Sequence, residues 1–143
     1  MAKRTETVAL PDGSYLPTIT FKGTVFSSNG EGKKFISLPW VKRQIQEKLG
    51  FTPHFGTLNI RLTRESARQK KLLKKAEKFE ISPEKGYCTG ILIKARMEGL
   101  ACGIVVPQVP NYPRDVLEVV AAWNLRERFE LCDGSEVRVA VRV

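Results

Sequence analysis

Apolar and polar residues alternate strictly in two segments of the chain. Residues 56–62 place Leu58, Ile60 and Leu62 on one face, and residues 136–143 repeat the alternation with four valines. A period of two is typical of a β-strand that buries one face. β-Branched and aromatic residues also predict strands at 18–26, 87–97 and 100–106. Several short strands with few helices predict a mainly β fold, in which closure into a small barrel leaves no exposed sheet edge.

Two segments predict short helices. Between Trp40 and Leu49 the apolar residues recur at helical spacing, and Gly50 stands where a C-cap glycine is expected. Residues 124–129 predict a second, briefer helix. The apolar run 116–121 is short and is predicted to be buried.

Other parts of the chain are predicted to be irregular. Residues 27–32 are turn formers, and residues 35–38 predict a short extended piece. Residues 1–16 mix charge, proline and glycine without any period, so we expect an N-terminal tail or a loosely docked lead-in. Because 143 residues are the size of one ordinary domain, we expect residues 17–143 to form a single domain.

The charge of the chain is unbalanced. There are 24 Lys and Arg against 15 Asp and Glu, a net charge of +9, which favours a polyanionic or phosphorylated partner. Residues 61–80 hold eight Lys or Arg and three Glu, a local net of +5. This segment predicts either a marginal helix or a solvated loop. Residues 61–78 are also a candidate nucleic-acid surface, although basic runs without interleaved aromatic residues are more often simply solvated.

The counts of cysteine and histidine argue against several kinds of chemistry. Three cysteines at wide spacings disfavour a disulfide framework and favour a reducing compartment. With one histidine, His54, and no CxxC pair, a zinc site or a histidine-activated nucleophile is disfavoured, and we interpret His54 as a packing or turn residue. The sequence shows no apolar run long enough to span a bilayer and no secretory signal, so we expect a cytoplasmic protein without membrane contact.

Three groups of residues are candidates for chemistry. The glycine loop from Ser28 to Lys34 combines accessible backbone N–H groups with two lysines, which suits a phosphate, and a solvated hairpin-like loop is the alternative. Thr57 and Asn59 lie two apart on a predicted strand, so their side-chain oxygens either hold Mg²⁺ or form an ordinary polar face. Glu118 interrupts an apolar run and either faces solvent or accepts a hydrogen bond from a hydroxyl.

Four longer segments fit one another in order and spacing. They are GEGKKFISLPW at 30–40, GFTPHFGTLNIRL at 50–62, GIVVPQVPNYPRDVLEVVA at 103–121 and NLRERFELCDGSEV at 124–137. Together they resemble the CTP-dependent riboflavin kinases of archaea, over nearly the whole chain from about residue 18. The resemblance is weakest at 64–86. It implies a small six-stranded cradle-loop β-barrel, related to the RIFT fold, with one or two short helices.

The resemblance also implies an activity and its site. The activity is transfer of the terminal phosphate of CTP to the 5′-hydroxyl of riboflavin, which gives FMN and CDP. By position, Thr57 and Asn59 are the implied Mg²⁺ ligands, and Glu118 is the implied flavin-binding glutamate and our candidate for orienting the attacking hydroxyl. The implied flavin site also contains Tyr112. The implied nucleotide site consists of Ser28, Asn29, Gly30, Glu31, Gly32, Lys33, Trp123, Asn124, Leu125 and Arg126.

One position departs from the family pattern. The family usually has a hydroxyl residue, most often Thr, two positions before the loop tyrosine, whereas this chain has Pro110, which cannot donate a hydrogen bond there. The side chain of Asn111 is the alternative donor to the flavin phosphate. Two other classes stay open: a catalytically weak flavin- or nucleotide-binding protein of the same fold, and a basic nucleic-acid-binding barrel. We expect a monomer whose partners are riboflavin, FMN, CTP and CDP rather than nucleic acid.

Overall fold

The computed structural model describes residues 5–9, 15–28, 31–54, 56–84 and 89–143, with only the backbone described at 5–9, 15, 16 and 31–33. Eight strands lie in this part of the chain: β1 Thr5–Ala9, β2 Tyr15–Phe26, β3 Leu58–Leu62, β4 Lys78–Ile81, β5 Gly90–Met97, β6 Leu100–Pro107, β7 Val116–Val120 and β8 Glu136–Arg142. The helices there are α1 Glu31–Ile36, α2 Pro39–Leu49, α3 Arg64–Gln69, α4 Leu125–Arg128 and a 3₁₀ helix Lys70–Lys75.

Six of these strands close into a barrel. They neighbour one another in the order β2, β3, β7, β6, β5 and β8, and β8 closes the ring because it pairs with both β2 and β5. Every pairing is antiparallel. Strands β1 and β4 extend the sheet outside the ring by pairing with β2 and β5. The predicted mainly β fold with a closed six-stranded barrel and few short helices is confirmed.

Strand β3 shows why the alternating pattern specifies the barrel interior. Leu58, Ile60 and Leu62 are buried inside, whereas Asn59 is half-buried and Arg61 is exposed. Each fully buried aliphatic side chain contributes roughly 1.5–3 kcal/mol relative to its exposed state. A register shift by one residue would turn all three apolar side chains to the outside, so burial also determines which β3 residues face the site.

A second apolar cluster lies outside the barrel, beneath helix α2. The helix buries Trp40, Val41 and Ile45 on one face. These side chains pack against outward-facing residues of three barrel strands: Leu92, Val105 and Val120. Helix α2 therefore covers the outer face formed by β5, β6 and β7.

The ends of helix α2 follow the sequence signals. Pro39 occupies the first helical turn, where its missing N–H has no intrahelical partner to lose. Gly50 adopts the left-handed conformation, with φ +80°, and its N–H donates to the carbonyl of Gln46 at 2.9 Å. The predicted helix over residues 40–49 and its glycine cap are confirmed.

Strands β5 and β6 form a tight hairpin. Its two connecting residues, Glu98 and Gly99, have φ values of +50° and +77°. Positive φ at both positions is typical of the two-residue turns that match the twist of a hairpin. The predicted buried run at 116–121 and the brief helix at 124–129 are confirmed by β7 and α4.

The loop and extended piece predicted before α2 are wrong from residue 31 onward, because residues 31–36 form helix α1. The reason lies in tertiary packing. The side chain of Ile36 is fully buried in the outer cluster, and the ring of Phe35 meets that of Trp40 edge to face, with centroids 6.1 Å apart. Burial of this apolar pair under α2 outweighs the turn preference of the preceding glycines.

Two further segments hold regular structure. In the basic segment the helical alternative is the one found, as α3 and the 3₁₀ helix, whereas strands β1 and β4 were not predicted. The lead-in expected at 1–16 contains β1, which pairs with β2 along its whole length. In the basic segment, α3 begins after Thr63, whose hydroxyl accepts a hydrogen bond from the N–H of Ser66 at 3.2 Å. Strand β4 follows and pairs with β5. Among the described helices, none has both the length and the apolar character needed to cross a bilayer.

Candidate active site

An open pocket of about 400 Å³ lies where β2 ends and β3 begins. Its walls come from four parts of the chain: the end of β2, the segment between α2 and β3, the end of β7 and the start of α4. The polar side chains lining it belong to Ser27, Ser28, His54, Thr57, Asn59, Asn124 and Arg126. The segment between α2 and β3 is joined to the end of β7 by a hydrogen bond from the N–H of His54 to the carbonyl of Ala121, at 2.7 Å.

The pairing of β3 with β7 assembles a group of oxygens beside this pocket. Asn59 lies directly opposite Glu118 in the register, and Thr57 precedes Asn59 by two positions on the same face. The hydroxyl of Thr57 lies 3.5 Å from Asn59 Oδ1 and 3.4 Å from Glu118 Oε1. Asn59 Nδ2 donates to the hydroxyl of Ser28 at 3.2 Å, which connects the end of β2 to the same group.

The other oxygen of Glu118 is bound by an aromatic residue from the loop between β6 and β7. The hydroxyl of Tyr112 donates a hydrogen bond to Glu118 Oε2. Burial raises the pKa of the Tyr112 phenol well above its ordinary value, and the hydrogen bond to Glu118 raises it further. The phenol therefore stays protonated at neutral pH and acts as a donor to the carboxylate.

A lysine from the basic segment reaches the same loop. Lys70 Nζ donates to the carbonyl of Val116 at 2.7 Å and lies 5.1 Å from the centre of the Tyr112 ring. In the sequence, this lysine is one of many in a charged run. No local pattern distinguishes it, because its contacts depend on where the 3₁₀ helix lies relative to the loop before β7.

Arg126 lines the pocket and is held by three groups. Its Nη2 donates to Asp133 Oδ1 at 2.8 Å, to the Ser27 hydroxyl at 3.3 Å and to the Phe26 carbonyl at 3.3 Å. The Ser27 hydroxyl in turn donates to Asp133 at 2.9 Å. The hydrogen bonds from Arg126 and Ser27 lower the pKa of Asp133 below its ordinary value, so this carboxylate is charged at neutral pH.

Residues 123–126 enter the pocket at the start of α4. Trp123 is 45% exposed, and the guanidinium of Arg128 lies 5.1 Å from the centre of its ring. The side chain of Asn124 caps α4 by accepting from the N–H of Glu127 at 3.3 Å. Leu125 is buried in the barrel core, so it anchors this segment through packing.

The structure brings together most of the site residues expected from the sequence. Ser28, Thr57, Asn59, Glu118 and Tyr112 form one connected group, and residues 123–126 line the pocket beside it. Asn29 and Gly30 lie outside the described residues. The backbone at 31–33 belongs to α1 rather than to a loop, and Asn111 is exposed, with φ +61°.

Three residues near the pocket were missed or interpreted differently. His54 lines the pocket and is exposed, whereas it was interpreted as a packing or turn residue. Ser27 and Asp133 hold Arg126, a role that needs the turn after α4 to lie beside the end of β2. Two backbone hydrogen bonds join that turn to Val25. The N–H of Val25 donates in one, at 2.9 Å, and the carbonyl of Val25 accepts in the other, at 2.8 Å.

The donor chemistry of the oxygen group fits Mg²⁺. Thr57 and Asn59 offer two neutral oxygens 3.5 Å apart, and a carboxylate oxygen of Glu118 lies 3.4 Å from the threonine hydroxyl. Mg²⁺ prefers hard oxygen ligands and usually keeps several waters or substrate phosphates among its ligands. Among the described residues, no cluster of three or more His, Cys, Asp or Glu offers a different metal site.

Comparison with known proteins places the chain in a family. The family model named for CTP-dependent riboflavin kinases, described as domain of unknown function DUF120, matches residues 25–141. The chain belongs to this family. The chain is similar to a riboflavin kinase of Archaeoglobus fulgidus. The two are 36% identical over 87% of this chain and 55% of the relative's length. The riboflavin kinase of Methanospirillum hungatei is 38% identical, over 87% of this chain and 58% of its own length.

The length of the family members differs. This chain spans about half the length of several of the curated relatives that it matches, at 55% of the Archaeoglobus fulgidus protein. It covers 71% of the riboflavin kinase of Ignicoccus hospitalis, with 36% identity over 86% of this chain. The match to the family model includes all six strands of the barrel at least in part, together with the pocket.

Proposed function

We propose that this protein phosphorylates riboflavin at its 5′-hydroxyl with CTP as the phosphate donor, giving FMN and CDP. The observation that carries the proposal is the oxygen group formed by Thr57, Asn59 and Glu118 beside the pocket, in a chain that belongs to the family of CTP-dependent riboflavin kinases. Phosphoryl transfer depends mainly on positioning and charge neutralisation; this arrangement offers the positioning, and Mg²⁺ held by it would supply the neutralisation.

Glu118 is the residue proposed to orient the attacking hydroxyl. Its carboxylate is half-buried on β7, and Tyr112 and Thr57 contact its two oxygens, which restricts its rotation. In the proposed step, the riboflavin hydroxyl oxygen bonds to the γ-phosphorus of CTP, and the bond from that phosphorus to the β–γ bridging oxygen breaks. The hydroxyl proton passes to Glu118, and CDP leaves with the electron pair of the broken bond.

Thr57 and Asn59 are proposed to hold Mg²⁺ through Oγ1 and Oδ1. When bound, the ion would neutralise negative charge on the phosphates. Thr57 and Asn59 would hold the ion next to Glu118, because Asn59 lies opposite Glu118 where β3 pairs with β7.

The nucleotide is proposed to occupy the pocket between the end of β2 and α4. Arg126 presents a guanidinium there, 35% exposed, and a partly exposed arginine is suited to bind phosphate oxygens. Trp123 offers an exposed ring for stacking on a base. Residues Ser28 to Lys33 are proposed to complete this site from the other side, as the family resemblance implies.

The flavin is proposed to bind on the opposite side of Glu118, against the loop between β6 and β7. Tyr112 and Asn111 belong to that loop, and Pro110 removes one backbone donor from it. We place the protein in the cytoplasm and expect it to act as a monomer. The scarcity of cysteines supports a reducing compartment.

The test is an assay of FMN formation. The protein is incubated with riboflavin, Mg²⁺ and either CTP or ATP, and FMN is separated from riboflavin by chromatography. We expect FMN with CTP and little with ATP. Binding of riboflavin or CTP without any FMN would overturn the proposal in favour of a non-catalytic binding protein, and salt-dependent nucleic-acid binding without FMN would favour the basic barrel.

A further inference from the structure

Lys70 differs from the other lysines of the basic segment in where its side chain lies. It is the first residue of the 3₁₀ helix, and its side chain is half-buried against the loop before β7. Its neighbour Lys71 is exposed, as are Lys74 and Lys75. A lysine ammonium is strongly hydrated, so partial removal from water must be offset by specific contacts.

Those contacts all involve the segment that leads into β7. Lys70 Nζ donates to the carbonyl of Val116 at 2.7 Å and to the carbonyl of Pro113 at 3.4 Å. The two carbonyls lie on either side of the last loop residues, Arg114 and Asp115. One ammonium group therefore ties the end of the loop to the first residue of the strand that carries Glu118.

The same ammonium also faces the aromatic ring of this loop. It lies 5.1 Å from the centre of the Tyr112 ring, within the range of a cation–π contact. The Tyr112 hydroxyl donates to Glu118 Oε2. Lys70 thus contacts the ring whose other end contacts the carboxylate, without touching the carboxylate itself.

The electrostatics agree with this geometry. Burial lowers the pKa of Lys70, and the charges of Asp115 and Glu118 oppose that shift. The lysine is thus attracted by the carboxylates of the loop and of β7.

We propose that Lys70 is a positioning residue for flavin phosphorylation, which holds Tyr112 and the loop between β6 and β7 against the first residues of β7 so that Glu118 keeps its orientation. This inference rests on the proposed function. It assigns one residue of the basic segment a specific role beside the proposed flavin site. This role is distinct from attraction of anions by the net positive charge of the segment.

The experiment compares three variants of the full chain with the parent protein. Lys70→Met keeps the length and apolar stem of the side chain but removes the charge and the donors, and Lys70→Arg keeps both. Lys71→Met removes one positive charge from the adjacent exposed position, so it controls for the change in net charge. For each, FMN formation gives kcat and separate KM values for riboflavin and CTP, and a thermal melt reports folding.

In Lys70→Met we expect the KM for riboflavin to rise or kcat to fall by about tenfold, the scale expected for loss of a hydrogen bond from a charged group. The KM for CTP should change by less than about twofold, because Lys70 does not line the pocket. Lys70→Arg should recover most of the loss, and Lys71→Met should match the parent protein.

The outcomes separate this inference from the function on which it rests. If the parent protein makes no FMN, the proposed function fails first. If the parent is active and Lys70→Met equals Lys71→Met, the inference is overturned. It is overturned as well if Lys70→Met merely loses folded protein, with kcat and both KM values of the folded fraction unchanged, or if Lys70→Arg is no better than Lys70→Met.

Discussion

Two networks of polar side chains flank the oxygens of Thr57 and Asn59, and they differ in their exposure to water. The half-buried network joins Lys70, Tyr112 and Glu118. The exposed network joins Ser27, Arg126 and Asp133, and the side chains of Arg126 and Asp133 are 35% and 58% exposed. Both networks contain charged groups at hydrogen-bonding distance, so the interactions are of the same kind. The two networks differ in how far water reaches them.

The difference indicates what each network can do. In partly desolvated surroundings a hydrogen bond is electrostatically stronger, and an unpaired group is costly, so the half-buried network holds one arrangement. Water and salt screen the exposed ion pair, so the pair contributes little to the stability of the folded protein. The first network is therefore suited to orienting a reacting group, and the second holds Arg126 in place while its guanidinium stays accessible to a phosphate.

Replacement of Glu118 by Gln tests the half-buried network most directly. We expect turnover to fall by about 100-fold or more, because a neutral amide cannot accept the hydroxyl proton. The KM for CTP should change little, since the nucleotide is proposed to bind on the other side. Steady-state FMN formation measures both, with the exposed Glu136→Gln as the control. Turnover within a factor of two of the parent protein would remove Glu118 from the reaction.

Replacement of Asn59 by Ala tests the oxygens between the two networks. We expect the Mg²⁺ concentration for half-maximal activity to rise by about tenfold or more, the scale on which metal sites respond to altered ligand surroundings. Activity measured across a Mg²⁺ titration at saturating riboflavin and CTP gives this value. An unchanged Mg²⁺ requirement would show that Asn59 is not a ligand.

Replacement of Asp133 by Ala tests the exposed network. We expect the KM for CTP to rise by about two- to fivefold, a range consistent with the loss of one exposed ion pair that aims Arg126. The difference from the parent protein should shrink as salt is added, because the pair is screened. Glu136→Ala is the matched control. A lower KM for CTP would mean that Asp133 competes with the phosphates instead of positioning Arg126.

The titration of Tyr112 gives the smallest expected effect. The unfolded chain ionises this phenol at its ordinary pKa of 10.0, whereas the folded chain keeps it protonated to higher pH. Its contribution to stability is therefore complete below pH 10 and decreases as the pH rises further. The tyrosinate absorbance of the parent protein minus that of Tyr112→Phe should stay flat through pH 10. A difference that titrates near pH 10 would contradict burial of this phenol.

The barrel could be predicted to a large extent from local pattern, and the site only in part. The alternation at 56–62 indicates both the inner face of β3 and the outward position of Thr57 and Asn59, because the period of two places them together. The pairing of Asn59 with Glu118 depends on contact between segments about 60 residues apart. The family resemblance, rather than the local pattern, brought these residues together before the structure did.

What the sequence by itself determined is therefore five of the six barrel strands, the buried run that forms the sixth, the helix that Gly50 caps and the oxygen pair of Thr57 and Asn59 on one face. These features depend on short-range periodicity and on backbone preferences of single residues. Only the tertiary structure decided that 31–36 are helical, that Lys70 lies against Tyr112 and that Asp133 holds Arg126. The physical reason is that burial and hydrogen bonding between distant segments outweigh local propensity, and a run of similar lysines carries no local signal of which one is buried.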